Sequence, residues 1–83
     1  MKIIYFAWLR DKTGCGEEEL VLPEGVRNVG QLINWLAGRG PRYEDAFEFV
    51  EVIKVVVNQT LVPNDHPLKN DDEVIFIPPL GGG

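Results

Sequence analysis

Hydrophobic positions along this chain follow two rhythms, and their order predicts the architecture. Residues 2–8, Lys2-Ile3-Ile4-Tyr5-Phe6-Ala7-Trp8, are β-branched and aromatic. At a strand's period of two, Ile3, Tyr5 and Ala7 share one face, and Ile4, Phe6 and Trp8 share the other. Leu9 to Gly14 reads as a turn or short helical piece. Glu17 to Leu22 alternates until Pro23-Glu24-Gly25 stops it, giving a second strand that pairs with the first as a hairpin. A helical spacing then takes over. Val29, Leu32, Ile33 and Leu36 form one stripe, Asn28 caps its start, and Gly38-Arg39-Gly40-Pro41 ends it. Trp35 lies at the edge of that stripe as peripheral packing. Tyr43 to Phe49 predicts a further helical turn with Tyr43 and Phe47 aligned at i and i+4. The rest is strand: Val52 to Asn58, a turn at Asn58-Gln59, a return from Thr60 to Val62, and a closing segment from Glu73 to Ile77.

The order ββαβββ predicts an α+β fold of the ubiquitin-like β-grasp type, a mixed sheet with one main helix packed on one face. Residues 1–77 form the domain, and residues 78–83 are expected to be a flexible C-terminal tail. One helix covers only one face of a sheet. Ile4, Phe6 and Trp8 from the first strand and Ile75 and Ile77 from the last are therefore expected on the second face, as a docking patch, with ordinary partial burial or a homodimer seam as the alternatives.

Composition narrows the function. At 83 residues the chain has room for a single core but little for a catalytic cleft of its own, which favours a carrier or binding module. Eight basic against 13 acidic residues give a net charge of -5, with no basic run, so no nucleic-acid role is expected. The apolar start is too brief for a signal peptide, and no apolar run approaches the roughly 20 residues that span a bilayer. A cytoplasmic protein without a membrane role is expected. Cys15 stands alone between two glycines and His66 alone in a loop, so neither builds a disulfide, a metal site or a catalytic pair.

The C-terminus carries the candidate chemistry. The closing strand runs straight into Pro78-Pro79-Leu80-Gly81-Gly82-Gly83. Prolines remove backbone donors and favour an extended path, and six residues reach roughly 20 Å. Glycines at the end let a narrow channel close around the backbone. The Gly83 carboxylate is a poor electrophile at neutral pH, so it reacts as an acyl group only after a partner enzyme has activated it. A frayed glycine end is the bland alternative.

The segments Val57-Asn58-Gln59-Thr60-Leu61-Val62, Asp65-His66-Pro67-Leu68, Asp72-Glu73-Val74 and Pro78-Pro79-Leu80-Gly81-Gly82-Gly83, with the opening Tyr5-Phe6-Ala7-Trp8-Leu9-Arg10-Asp11-Lys12-Thr13-Gly14, closely resemble the small, sulfur-carrier subunit family of molybdopterin synthase. The resemblance spans essentially the whole chain. It implies that an E1-like adenylyltransferase uses ATP to adenylate Gly83, that a sulfur-transfer protein of cysteine desulfurase or rhodanese type supplies the sulfur of a thiocarboxylate, and that this sulfur passes to cyclic pyranopterin monophosphate in the large synthase subunit. Leu80, Gly81 and Gly82 would thread that partner. Phe6, Arg10, Leu61, Ile75, Ile77, Pro78 and Pro79 would form the partner-binding surface. It also implies that this chain binds no cofactor or metal, acts as a co-substrate without catalysing alone, and assembles as a heterotetramer.

Three positions depart from the family pattern. Gly81 stands where a small polar residue or alanine is expected, and Ile77 where an aromatic is. Asp71 replaces a turn glycine, which requires left-handed geometry at Asn70 or Asp71. Two further readings stay open beside the resemblance. One is a sister carrier or modifier for thiazole synthesis, transfer-RNA thiolation or lysine conjugation. The other is a β-grasp binding module with an inert tail.

Overall fold

The computed structural model describes residues 1–79, so the expectations for Leu80, Gly81, Gly82 and Gly83 lie outside the described residues. Five strands form one mixed sheet: β1 (Lys2–Tyr5), β2 (Glu17–Glu19), β3 (Lys54–Val57), β4 (Thr60–Val62) and β5 (Glu73–Ile77), in spatial order β2-β1-β5-β3-β4. Only the central pair, β1 with β5, is parallel. A parallel pair needs a crossover, and the helices α1 (Ala7–Thr13), α2 (Val29–Ala37) and α3 (Pro41–Ala46) lie within it. This is the α+β, β-grasp arrangement that the hydrophobic pattern predicts.

α2 forms where the pattern places it. The Asn28 side chain accepts from Gln31 N at 2.9 Å, a side-chain cap on the first turn, and Val29, Leu32, Ile33 and Leu36 are all buried. They pack on the inward residues Ile3 and Tyr5 of β1, Val55 and Val57 of β3, and Val74 and Phe76 of β5. Aromatic rings fill the centre: Tyr5 stacks on Phe76 at 6.0 Å, and Phe47 meets Phe76 edge-on at 5.1 Å. α3 begins at Pro41, two residues earlier than the periodicity suggests, because proline suits the first helical turn; Tyr43 and Phe47 still fall together and both reach Tyr5.

β2 and β3 are shorter than expected for a shared reason, the reach of the partner strand, and β1 for a reason of its own. β1 ends at Tyr5, and the predicted continuation to Trp8 instead turns into α1, which places Trp8 on a helix packed against the core and away from the second sheet face. β2 stops at Glu19, because Leu20 already pairs with Met1 and the first strand has run out. β3 starts at Lys54, opposite the end of β5 at Ile77; Val50–Val52 form a 3-10 turn before it. Left-handed geometry is absent from Asn70 and Asp71 and occurs at Asn58 and Gln59, with φ of 50° and 71°. The Lys69–Asp72 turn closes without it, since the Asp72 carboxylate accepts from Lys69 N at 2.7 Å. Among the described residues no helix is long and apolar enough to cross a membrane.

Candidate functional site

Side-chain alternation sorts each strand into an inward and an outward set, and pairing register aligns the outward sets into rows. Ile4 pairs with Ile75, Ile75 with Val56, and Val56 with Leu61, so one apolar row crosses four strands on the face the helices leave open. One step toward the end of β5 lies Ile77 opposite Lys54. Phe6 lies beside it, its N–H donating to Phe76 O at 3.1 Å. One step the other way the register brings Glu19, Lys2 and Glu73 side by side. There the Lys2 ammonium sits 3.2 Å from Glu17, whose hydrogen bond raises the lysine's pKa.

The open face is therefore graded. It is charged where β5 begins and mainly apolar, with Lys54 beside Ile77, where β5 runs into the tail. Leu61 at 61% and Phe6 at 46% exposed are its most accessible apolar groups, with Ile4, Val56, Ile75 and Ile77 partly buried between them. An open cleft of about 470 Å³ at its border is lined by Ile4, Phe6, Ala7, Arg10 and Glu17, so Arg10 adjoins the apolar row. Of the two prolines at the tail root, Pro79 is exposed, whereas Pro78 is buried. A residue packed into the body has little surface to offer, so Pro79 is the more accessible of the two. Val56 completes the row, yet the hydrophobic pattern does not single it out. Within Lys54-Val55-Val56-Val57 both faces read as equally apolar, and only the register against Ile75 and Leu61 distinguishes them.

The helix-covered side holds a polar network of a different kind. The Tyr5 hydroxyl donates to Glu18 Oε2 at 2.8 Å, and Arg39 Nη1 pairs with Glu18 Oε1 at 2.8 Å while its guanidinium lies 4.5 Å from the Tyr43 ring centre. Burial first, and then the Glu18 carboxylate, push the Tyr5 pKa far up. This network ties the edge strand β2 to the aromatic core. Cys15 sits at its margin, with Sγ 3.9 Å from Glu18 Oε2 and 4.0 Å from the Tyr43 hydroxyl oxygen. His66 serves the loop through its backbone, its N–H donating to Pro63 O and its carbonyl accepting from Val29 N.

Over residues 3–83 the chain matches the ThiS family. It belongs to that family. Among curated relatives of this ThiS-family chain, the molybdopterin synthase sulfur carrier subunit of Escherichia coli is 36% identical over 83 residues, covering 100% of this chain and 99% of that protein. The Mycobacterium tuberculosis protein of the same name is 34% identical over 86 residues, covering 100% and 96%. Among solved structures, a Pyrococcus furiosus chain provisionally named molybdopterin converting factor, subunit 1, has TM-score 0.75 and 34% identity over 95% of both chains. The small archaeal modifier protein 1 of Haloferax volcanii has TM-score 0.75 at 21% identity, covering 96% of this chain and 97% of that one, a likeness of fold. The ThiS-family match extends through Gly83 and so includes the terminal glycines.

Proposed function

We propose that this chain is the sulfur-carrier subunit of a molybdopterin synthase. The observation that carries the reading is the graded open face: its apolar row lies beside the root of a segment ending in three glycines, so a partner that grips the row also receives the carboxylate. Full-length relatives named as sulfur carrier subunits of molybdopterin synthase support it.

In this proposal an E1-like enzyme binds the body, and a Gly83 carboxylate oxygen attacks the α-phosphorus of ATP, releasing pyrophosphate. The outer sulfur of a desulfurase or rhodanese persulfide attacks the acyl adenylate and displaces AMP, and a thiol then cleaves the S–S bond of the resulting acyl persulfide, leaving a thiocarboxylate and a disulfide. Leu80, Gly81 and Gly82 then thread the large synthase subunit, where sulfur passes to cyclic pyranopterin monophosphate and water restores the carboxylate. Two such transfers complete a dithiolene. The acid–base groups belong to the large subunit, and ATP is bound by the activating enzyme. The setting is the cytoplasm and the assembly a heterotetramer of two large and two small subunits.

Intact mass of the chain before and after incubation with an E1-like enzyme, ATP and a sulfur donor tests the reading. The expected result is a gain equal to exchanging one oxygen for sulfur, abolished by deleting Gly83. No gain with an enzyme shown to be active refutes it. Isopeptide conjugates from Gly83 to lysine would assign the chain to the modifiers instead.

A further inference from the structure

Between β1 and α1 the backbone passes through a conformation that L-residues avoid. Ala7 has φ of 51°, in the left-handed region, directly after an extended Phe6 with φ of -98° and ψ of 153°. A side chain there brings Cβ against its own carbonyl oxygen, and glycine would make the same turn without that clash. At the other strained turn, Asn58-Gln59, the tight hairpin joining β3 to β4 requires left-handed geometry at both residues, and the Asn58 side chain compensates. Asn58, with φ of 50°, donates through Nδ2 to Asp72 at 2.8 Å and accepts from Glu73 N at 3.0 Å. Ala7 has only an exposed methyl group.

Two backbone bonds hold the turn: Phe6 N donates to Phe76 O, and Leu9 N donates to Phe6 O, each at 3.1 Å. Between them they fix two outputs. Phe6 stays on the open face, two residues from where β5 meets Pro78. α1 then begins so that Arg10 lines the same cleft as Phe6 and Ala7. Strain that lasts without local compensation marks places where a fixed geometry is used.

We propose that Ala7 is a positioning residue for partner docking. Its methyl group confines the left-handed turn to a narrow basin, and so holds Phe6 and Arg10 in a fixed relation to the tail root at a cost in stability. The proposal rests on the reading of the open face as the docking surface. It predicts opposite signs for stability and docking in one substitution, which a merely structural role does not.

The test is Ala7→Gly beside Ala7→Asn in the full chain. Glycine removes the clash and the confinement together, so its thermal midpoint should rise by about 5 °C. The Phe6 and Leu9 amides should exchange hydrogen several-fold faster, and binding to the large synthase subunit, followed by titration calorimetry, should weaken about fivefold. Asparagine tolerates the left-handed basin but keeps a Cβ, so it should bind within about twofold of the parent. Glycine that binds as tightly as the parent, glycine that melts lower, or asparagine that binds as weakly as glycine each overturns the proposal. A parent chain that fails to bind at all would refute the docking reading itself, and the melting and exchange data would still show whether Ala7 is a strained restraint.

Discussion

Truncating Leu61 to alanine separates docking from folding. Leu61 lies on the edge strand β4 at the end of the apolar row, and 61% of it is exposed. Burying a whole leucine is worth about 1.5–3 kcal/mol, so sealing the exposed fraction under a partner is worth about 1–2 kcal/mol. Losing that much weakens binding about 5- to 25-fold, at 1.4 kcal/mol per tenfold. The smaller, already buried fraction limits the folding cost to about 1 kcal/mol or less. Titration calorimetry against the large synthase subunit gives the first number and a urea melt the second. Trp35→Ala is the control: Trp35 is 39% exposed but lies on α2, which packs on the other face of the sheet, and its loss should leave binding unchanged. Equal weakening by both variants, or none from Leu61→Ala, would refute the assignment of this row as the docking surface.

Three further outcomes follow from the packing. Asn58→Ala removes the bonds to Asp72 and Glu73 while keeping a side chain at φ of 50°, and should cost about 2–3 kcal/mol in a urea melt. Gln59→Gly, at φ of 71° on the same turn, should instead stabilise by about 1 kcal/mol. The folded state raises the Tyr5 pKa, by burial and by the adjoining Glu18 carboxylate, with Tyr43 and Cys15 adding smaller contributions. It therefore holds the phenol proton more tightly than the unfolded chain does. Stability from this group is present below the unfolded tyrosine pKa near 10 and falls as pH rises above it. Thermal midpoints between pH 8 and 11 should show a decline that Tyr5→Phe reduces.

Much of the fold is legible in the sequence wherever one segment decides its own state. The α2 stripe, its Asn28 cap, β4 and the span of β5 all read directly from spacing and residue type. The misses have physical causes that lie elsewhere in the chain. β2 and β3 are shorter than their hydrophobic runs because their partners end, which no local pattern records. The end of β1 turns on the backbone of Ala7, where a left-handed alanine leaves no trace in hydrophobicity, and Trp8 goes to α1 with it. Pro78 reads as the start of an outgoing tail, yet it is still packed into the body. Phe6, Ile75, Ile77 and Leu61 lie on the open face because strand alternation carries them there. Val56 needs the register of two neighbours before it can be assigned.

The central parallel pair joins the first strand made to the last. Ile4 meets Ile75, and until β5 exists the two hairpins β1-β2 and β3-β4 have no common sheet. Contacts so distant in sequence carry a loop-closure cost that slows folding. A chain halted during synthesis at β4 would hold all three helices but neither the middle of the apolar row nor the segment that follows it. The row is thus complete only once the strand that leads into the glycine end has been made. On the proposed docking reading, a partner that grips the row would also be sensing that translation has run past β5 toward Gly83.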